Sequence, residues 1–371
     1  MNKSIMMTIL VAILGLGMYV HKVHAAPPIQ VKCDMDPMAL SNILSSGVTD
    51  GDKLSISGTC TGFGGHLITN NITLDGKGNS ATLDGGSPVL TIDAANTVII
   101  KDLIITGGFR AGGGNTPPFV TGIDNRGTLT LINSSVTGNE DQGGSTSVGG
   151  IRNDGTLTLI DSSVTENFAR SASIAVAGIH NLANRTATLI NSAVSLNTVA
   201  DQSNSGFGTG GILNQGMLYI SNSTIGENFV DGGRTGGIHN DKGTVMLVDS
   251  TVSKNIVTCD APVIVGGISN DKGTVSLSNT TVSKNSADGK NNLLCTQAVG
   301  GIYNNSPGIG TLEITSNSTV SKNIAVGASA NIGGIGILVG VALVPNITNS
   351  IVKNNDPNDC NFTHPACLVG P

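Results

Sequence analysis

Apolar and polar residues alternate along this chain in short runs, and the runs return in the same order. In Thr156-Leu157-Thr158-Leu159 and Thr274-Val275-Ser276-Leu277 every second side chain is apolar, so an extended segment there has one aliphatic face and one hydroxyl face. Each run sits inside a longer unit, typified by residues 149–167: a Gly-Ile-x-Asn opening, the alternating strand, and a Ser/Thr-x-Val-x-x-Asn close. The opening isoleucine recurs at Ile123, Ile151, Ile179, Ile212, Ile238, Ile268 and Ile302, with a degraded copy at Gly334-Ile335. The closing asparagines are Asn139, Asn167, Asn197, Asn228, Asn255, Asn285 and Asn323, with a close one residue shorter at Asn354 and isoleucine replacing the valine at Ile225.

A repeat of about 25 to 35 residues marks a solenoid, in which one unit cannot bury its own apolar face and stacked neighbours build a continuous core. Short β-branched runs separated by Asp-Gly and Asn-Asp turns leave no length for a helix in the unit, which excludes the helical repeat classes. The expected fold is all-β, a single-stranded right-handed parallel β-helix. Its strands stack about 4.8 Å apart, so equivalent residues form columns. A column of asparagines is then a structural device: each side-chain amide both donates and accepts along the stack. The glycines before each isoleucine are expected to allow positive φ or a tight corner.

The units are regular from Gly122 onward and irregular before it, although alternation is already clear in Lys53-Leu54-Ser55-Ile56-Ser57 and Ile72-Thr73-Leu74-Asp75. An uncovered solenoid end exposes core and unpaired strand edges, so terminal covers are expected. At the N-terminal end Asp36 as N-cap and Pro37 in the first turn predict a short helix carrying Leu40, Ile43 and Leu44 on one face and ending at Gly47. The expected organisation is residues 1–25 as a signal peptide, 26–60 as an N-terminal cap, 61–345 as the repeats and 346–371 as a C-terminal cap.

Composition agrees with a glycine-cornered β solenoid: 51 glycines, 3% aromatic and 12% charged residues in 371, with no tryptophan. The formal charge of -6 and the lack of a basic cluster exclude a nucleic-acid partner. Lys3, the apolar residues 5–20 and Val23-His24-Ala25 read as a secretory signal cleaved near Ala25. Loss of Lys3 and Lys22 leaves 17 basic against 25 acidic side chains, about -8. No later stretch has the length and apolarity of a membrane span. The mature chain is therefore expected to be secreted or at the cell surface, or in a periplasm, where disulfides form. Position suggests bridges Cys33–Cys60, Cys259–Cys295 and Cys360–Cys367, though spacing alone leaves other connectivities open. Cys259 and Cys295 lie in loops that stacking would bring side by side. No cofactor or metal site is expected, since no Cys-x-x-Cys pair or helical His pair accompanies these residues.

The Gly-Gly-Ile-x-Asn, Gly-Thr-Leu-Thr-Leu and Ser-Ser/Thr-Val-x-x-Asn pattern resembles bacterial right-handed parallel β-helix repeat proteins, in particular those of the choice-of-anchor group. The ending from Asn349-Ser350-Ile351-Val352-Lys353-Asn354 to Asp359-Cys360 is similar to that group's last coil. A more distant likeness is to polymorphic outer-membrane proteins, whose repeats pair Gly-Gly-Ala-Ile with Phe-x-x-Asn and end in a barrel for which no room is expected after Asn355. The resemblance covers about residues 30 to 360 and implies the fold, shared with pectate lyases, while leaving activity open.

Enzymes of that fold set a test. Val98-Ile99-Ile100-Lys101-Asp102-Leu103-Ile104-Ile105 resembles a pectate-lyase core strand, but no Trp-Ile-Asp-His follows, and the glycoside-hydrolase Gly-His-Gly and Arg-Ile-Lys are missing. Glycoside hydrolysis needs two carboxylates about 5 to 9.5 Å apart. Of the early acids Asp75, Asp84, Asp93 and Asp102, the first two precede glycine and read as turn residues. The expectation is a non-enzymatic secreted or cell-surface protein with a structural or adhesive role, the alternative being a polysaccharide lyase or hydrolase with an atypical site.

Two features could carry binding. The segments of variable length, from 140–148 to 324–332, all fall between a closing asparagine and the next opening, so stacking collects them along one edge. The late coils also place Lys254, Lys284, Lys322 and Lys353 in one expected column, a candidate contact for an anionic cell-surface polysaccharide. A partner protein on the loop edge is the other expectation. His180 and His239 share a repeat position with Leu213 between them, which argues against a metal.

Overall fold

Alternation becomes architecture through pairing. Each Thr-Leu-Thr-Leu run pairs in parallel with its counterpart one coil away without slippage: Thr128 with Thr156, Leu129 with Leu157, then Thr156 with Thr186 and Leu159 with Leu189. A one-residue slip would turn the aliphatic face outward, so burial of one face fixes the register. The computed structural model describes residues 26–62, 64–78, 81–111, 120–171, 173–200, 207–259, 261–290, 292–305, 311–337 and 345–367. It is a parallel β-solenoid, nearly all-β, as the repeat predicts.

Three sheets enclose the main core. In the coil that begins at Ile151 the chain runs through Ile151–Asn153 in an opening sheet, Thr156–Ile160 in a middle sheet and Ser163–Thr165 in a closing sheet. These sheets hold 10, 12 and 11 strands. Inward columns of isoleucine, leucine and valine, such as Ile151, Leu157, Leu159 and Val164, are fully buried. The signal-peptide expectation falls on residues 1–25, outside the described residues.

At the N-terminal end the strand Ile29–Lys32 pairs with Lys53–Ser57. The helix runs Ala39–Ser46, starting later than its sequence signals suggest. Asp36 does not cap it directly but accepts the N–H of Met38 at 3.0 Å. Leu40 is buried in the main core, with Ile43 and Leu44 packed against it, and Gly47 follows as expected. Cys33 is bonded to Cys60, and Cys360 to Cys367. The third expected bridge involves the side chain of Cys259, which lies outside the described residues; Cys295 is buried.

The variable segments are not simply loops. Each leaves the closing asparagine as a short outgoing strand, for example Phe168–Ala169, and all but 229–235 come back as a returning strand, for example Ile174–Val176. The outgoing strands form an eight-stranded sheet and the returning strands two three-stranded sheets. Between them lies a second, narrower core of small residues including Ala169, Ala175, Val199, Val230 and Ala298. The result is a ridge along one edge of the solenoid. At its root Asp141 is buried and Arg110 is nearly so; Nε and Nη2 of Arg110 donate to the two carboxylate oxygens at 2.7 and 2.8 Å. Burial pushes the Asp141 carboxyl up, and Arg110 with the N–H groups of Gly143 and Val148 pulls it back.

The glycines before the isoleucines stand at bends, one of the two roles expected of them, and do not take positive φ. They are needed because successive backbones touch: a Cβ on Gly150 would lie 2.4 Å from the Gly178 carbonyl oxygen, and one on Gly237 2.4 Å from that of Gly267. Positive φ falls instead on side-chain-bearing residues just before the closing asparagines, Glu166, Leu196, Glu227, Lys254, Lys284 and Lys322, all between 56° and 58°.

The closing asparagines form an unbroken buried ladder. Nδ2 of Asn139 donates to Oδ1 of Asn167 at 2.9 Å, and the chain of donations continues through Asn197, Asn228, Asn255, Asn285 and Asn323 to Asn355. Asn228 shows that every valence is used. Its Oδ1 accepts the backbone N–H and Nδ2 of Asn197, while its Nδ2 donates to Oδ1 of Asn255 and to the Val194 carbonyl. All the donors face one way, and the last rung ends on an acceptor: Asn355 donates to the Asp359 carboxylate at 2.8 Å. Asn228→Leu leaves the Asn197 N–H and the Val194 carbonyl buried without these partners. Urea denaturation should show it less stable than the native chain by about 3 kcal/mol; a loss below about 1 kcal/mol would mean the ladder is incidental to stability.

Candidate functional site

The predicted lysine row is real for three of its four members. Lys254, Lys284 and Lys322 occupy the left-handed position before successive closing asparagines and are exposed. Lys353 is not in the row. It pairs with Ser321, and the position of Lys322 is taken one coil later by Asn354 at φ +57. Alignment of Val352 with Val320 sets that register, which makes Asn355, rather than Asn354, the ladder residue. Lys254 is also committed in part, since its Nζ lies 2.7 Å from Oε1 of Glu227. Asp75 and Asp84 end the strands Ile72–Asp75 and Ala81–Asp84. Burial works against ionisation at Asp75, but Lys53, at 3.0 Å, and the Lys77 N–H outweigh it and hold the carboxyl below its ordinary range.

The ridge carries a feature that alternation alone did not reveal. Its outgoing sheet aligns Phe109, Glu140, Phe168, Thr198, Phe229, Ile256, Ser286 and Ile324 on one face. Phe109, Phe229, Ile256 and Ile324 are 53%, 37%, 41% and 43% exposed. Of seven phenylalanines in the chain, these two, Phe168 and Phe207 lie on the ridge. Phe207 is also exposed, with the guanidinium of Arg234 5.3 Å from its ring centre. A sequence with few aromatics thus places four of its seven phenylalanines on its most variable edge.

Beneath the returning strands lies the outer face of the opening sheet. Its column Asp124, Arg152, His180, Leu213, His239, Ser269, Tyr303 is in register, coil upon coil. The ridge closes over it with apolar contacts at both ends: Val148, Val176 and Leu213 on one side, Val265, Val299, Tyr303 and Ile332 on the other. In the middle the returning sheet breaks, and Thr235 makes only isolated bridges to Thr209 and Val265. Here both ring nitrogens of His239 and the hydroxyls of Thr209, Thr235 and Ser269 are buried with no partner among the described residues. His180 keeps one contact, Nε2 to Oε1 of Gln215 at 3.3 Å. The two histidines are not neighbours, as Leu213 sits between them.

Sequence reading missed the corner where the opening sheet turns into the middle sheet. Asp124 precedes Arg126 by two residues, and Arg152 precedes Asp154 by two, so neighbouring coils carry the charges in opposite order. Stacking converts this into a chain of ion pairs: Arg126 to Asp124 at 2.7 Å, Arg152 to Asp124 at 3.0 Å and to Asp154 at 3.4 Å, and Arg185 to Asp154 at 2.9 Å. The inversion was visible in the chain, but only register shows that Asp124 and Arg152 meet.

Compared with protein-family models, with curated proteins and with solved structures, the chain matches none. Among the described residues no helix is long and apolar enough to cross a membrane.

Burial lowers His180 from its ordinary 6.5 to about 4 and His239 to about 3, with Arg152 and Arg234 respectively adding to the effect. Below pH 6.5 the unfolded chain binds protons that the folded one refuses, so stability falls with pH by roughly 1.4 kcal/mol per unit and per ring. The loss levels off near pH 4 for His180 and near pH 3 for His239. Urea denaturation at about pH 7 and about pH 5 should show this slope in the native chain and a flatter one in His180→Gln/His239→Leu. Thr235→Val keeps the shape and removes an unpaired hydroxyl, and should raise stability by about 1 kcal/mol. A fall instead would show that the hydroxyl is bonded.

Proposed function

We propose that this is a secreted or surface-exposed β-solenoid that binds another molecule through its ridge and performs no chemistry on it. The exposed column Phe109, Phe229, Ile256 and Ile324 carries the reading, together with Phe207 beside it. Single exposed apolar side chains are ordinary, but an aligned series on one edge marks an interaction surface. The ridge can vary in length without touching the main core, because its small residues pack in a core of their own. Two disulfides and the apolar N-terminal residues 5–20 support export. The repeat pattern supports a bacterial cell-surface solenoid, and right-handed winding is the form such repeats adopt. Aromatic and aliphatic side chains on a raised edge suit a partner protein or another cell's surface, which leaves the lysine row as an accessory contact.

The test is binding of labelled mature protein to intact cells and to immobilised acidic and neutral glycans, with release of shortened products followed in parallel. Attachment without product is expected. Phe109→Ser/Phe229→Ser/Ile256→Ser should lose at least about tenfold in cell binding with unchanged thermal unfolding. Product release would instead support the lyase or hydrolase alternative, and equal binding by the triple variant would remove the ridge as the contact edge.

A further inference from the structure

The corner between the opening and middle sheets carries more guanidiniums than carboxylates in its chain of ion pairs. The geometry points to a second binding site there, taking an acidic polysaccharide on Arg126 and Arg185. Three guanidiniums share two carboxylates across three successive coils, so the chain of ion pairs holds one uncompensated positive charge in a protein that is otherwise acidic. The two terminal arginines are anchored but not used up. Arg185 donates through Nε to Asp154 at 2.9 Å, and both its terminal amino groups have no partner among the described residues. Arg126 donates through Nε to Oδ2 of Asp124 at 2.9 Å, and its Nη2 lies 2.7 Å from the same oxygen, which leaves Nη1 without a partner among the described residues. The Nε contact pre-orients each side chain, so little rotamer freedom remains to be lost when an anion binds.

Arg126 and Arg185 stand two coils apart, about 10 Å at the spacing of stacked strands. They flank a shallow groove of about 510 Å³ lined by Thr128, Thr156 and Thr186, with Asn96 and Asn184 at its ends, and the Asp154 carboxylate between them is held by Arg152 and Arg185. Two guanidiniums two coils apart over a line of hydroxyls and amides match a linear β-1,4-linked sugar acid whose alternate units turn their carboxylates to the same side. An extended acidic peptide turns side chains to one face about 7 Å apart, a spacing that the stacked coils do not repeat. This site is separate from the ridge but rests on the same reading of the protein as a binding scaffold.

The experiment is calorimetric titration of the full mature chain with a β-1,4-linked glucuronate hexamer, its neutral glucose counterpart, and inorganic sulfate. The acidic hexamer should bind, the neutral one should not, and raising salt should weaken binding. Arg126→Gln/Arg185→Gln should cost at least tenfold in affinity with little change in unfolding temperature, because both side chains lie at the surface and Arg152 still pairs with Asp124 and Asp154. Lys254→Gln/Lys284→Gln/Lys322→Gln should bind like the native chain, and so should the ridge triple variant. If the lysine variant loses binding and the arginine variant keeps it, the corner site is wrong while the scaffold reading stands. Equal affinity for sulfate and hexamer would reduce the site to a simple anion contact and overturn the polysaccharide. No binding of the hexamer by the native chain would overturn the corner site and leave the ridge to its own test.

Discussion

The structure depends on parallel coils lying in register, and the buried asparagine ladders turn that register from a preference into a requirement. An aliphatic column tolerates a small displacement of one coil over the next, because dispersion is not directional. An amide that donates twice and accepts twice does not. In the closing ladder each Oδ1 from Asn167 onward accepts two hydrogen bonds from the preceding coil, and each Nδ2 reaches both a carbonyl of that coil and the next rung. The second ladder, Asn125 to Asn304, repeats the device at the other corner with Nδ2 to Oδ1 distances of 2.7 to 2.8 Å. A third row of hydroxyls, Ser134, Ser162, Ser192 and Ser223, accepts backbone N–H groups between the middle and closing sheets. Polar groups so deeply buried would each be costly alone; stacked, they satisfy one another.

Such pinned corners explain why the backbone accepts unfavourable conformations beside them. Left-handed φ costs roughly 1–2 kcal/mol for a residue with a Cβ, yet Leu196, Lys254, Lys284 and Lys322 adopt it just before their ladder asparagines. The ladder fixes the following asparagine, and the preceding residue must then turn left whatever its side chain. At the openings of the coils glycine stands where the next coil's carbonyl leaves no space for a Cβ, as at Gly150 and Gly237. The ends of the ladders differ in the same terms. Asp359 supplies acceptors without donors and so terminates the closing ladder, whereas Asn125 and Asn304 meet Ile92 and Ile337 and leave Oδ1 and Nδ2 respectively unpaired among the described residues.

The solenoid was legible in the sequence because its cause is local and repeated: alternation, turn residues and a recurring amide. Cys33–Cys60 and Cys360–Cys367 were legible for a related reason, each pair bounding one short segment. What escaped depended on knowing register to the residue. Two adjacent asparagines at Asn354 and Asn355 offered two alignments, and only Val352 above Val320 decides between them; Lys353 was placed in the wrong row for that reason. The ridge escaped because its strands are two or three residues long and separated by spacers of unequal length, so Phe109, Phe168 and Phe229 show no period in the chain although they share a column in space.

The same constraint decides where binding surfaces can arise. Inside the three sheets almost every polar side chain is already committed to a neighbour above or below, and a change at one rung strands groups in the coils on both sides. Freedom is left at positions outside the ladders. On the ridge, insertions leave the main core intact and apolar side chains can be displayed. At the corner following Asn125, Asn153 and Asn181, residues are one step past a pinned amide: Arg126 and Asp154 are held firmly in space, yet their identity is unconstrained by packing. Rigid placement with free choice of side chain is the condition a recognition site needs, and in this fold the register supplies the first while the columns outside the ladders supply the second.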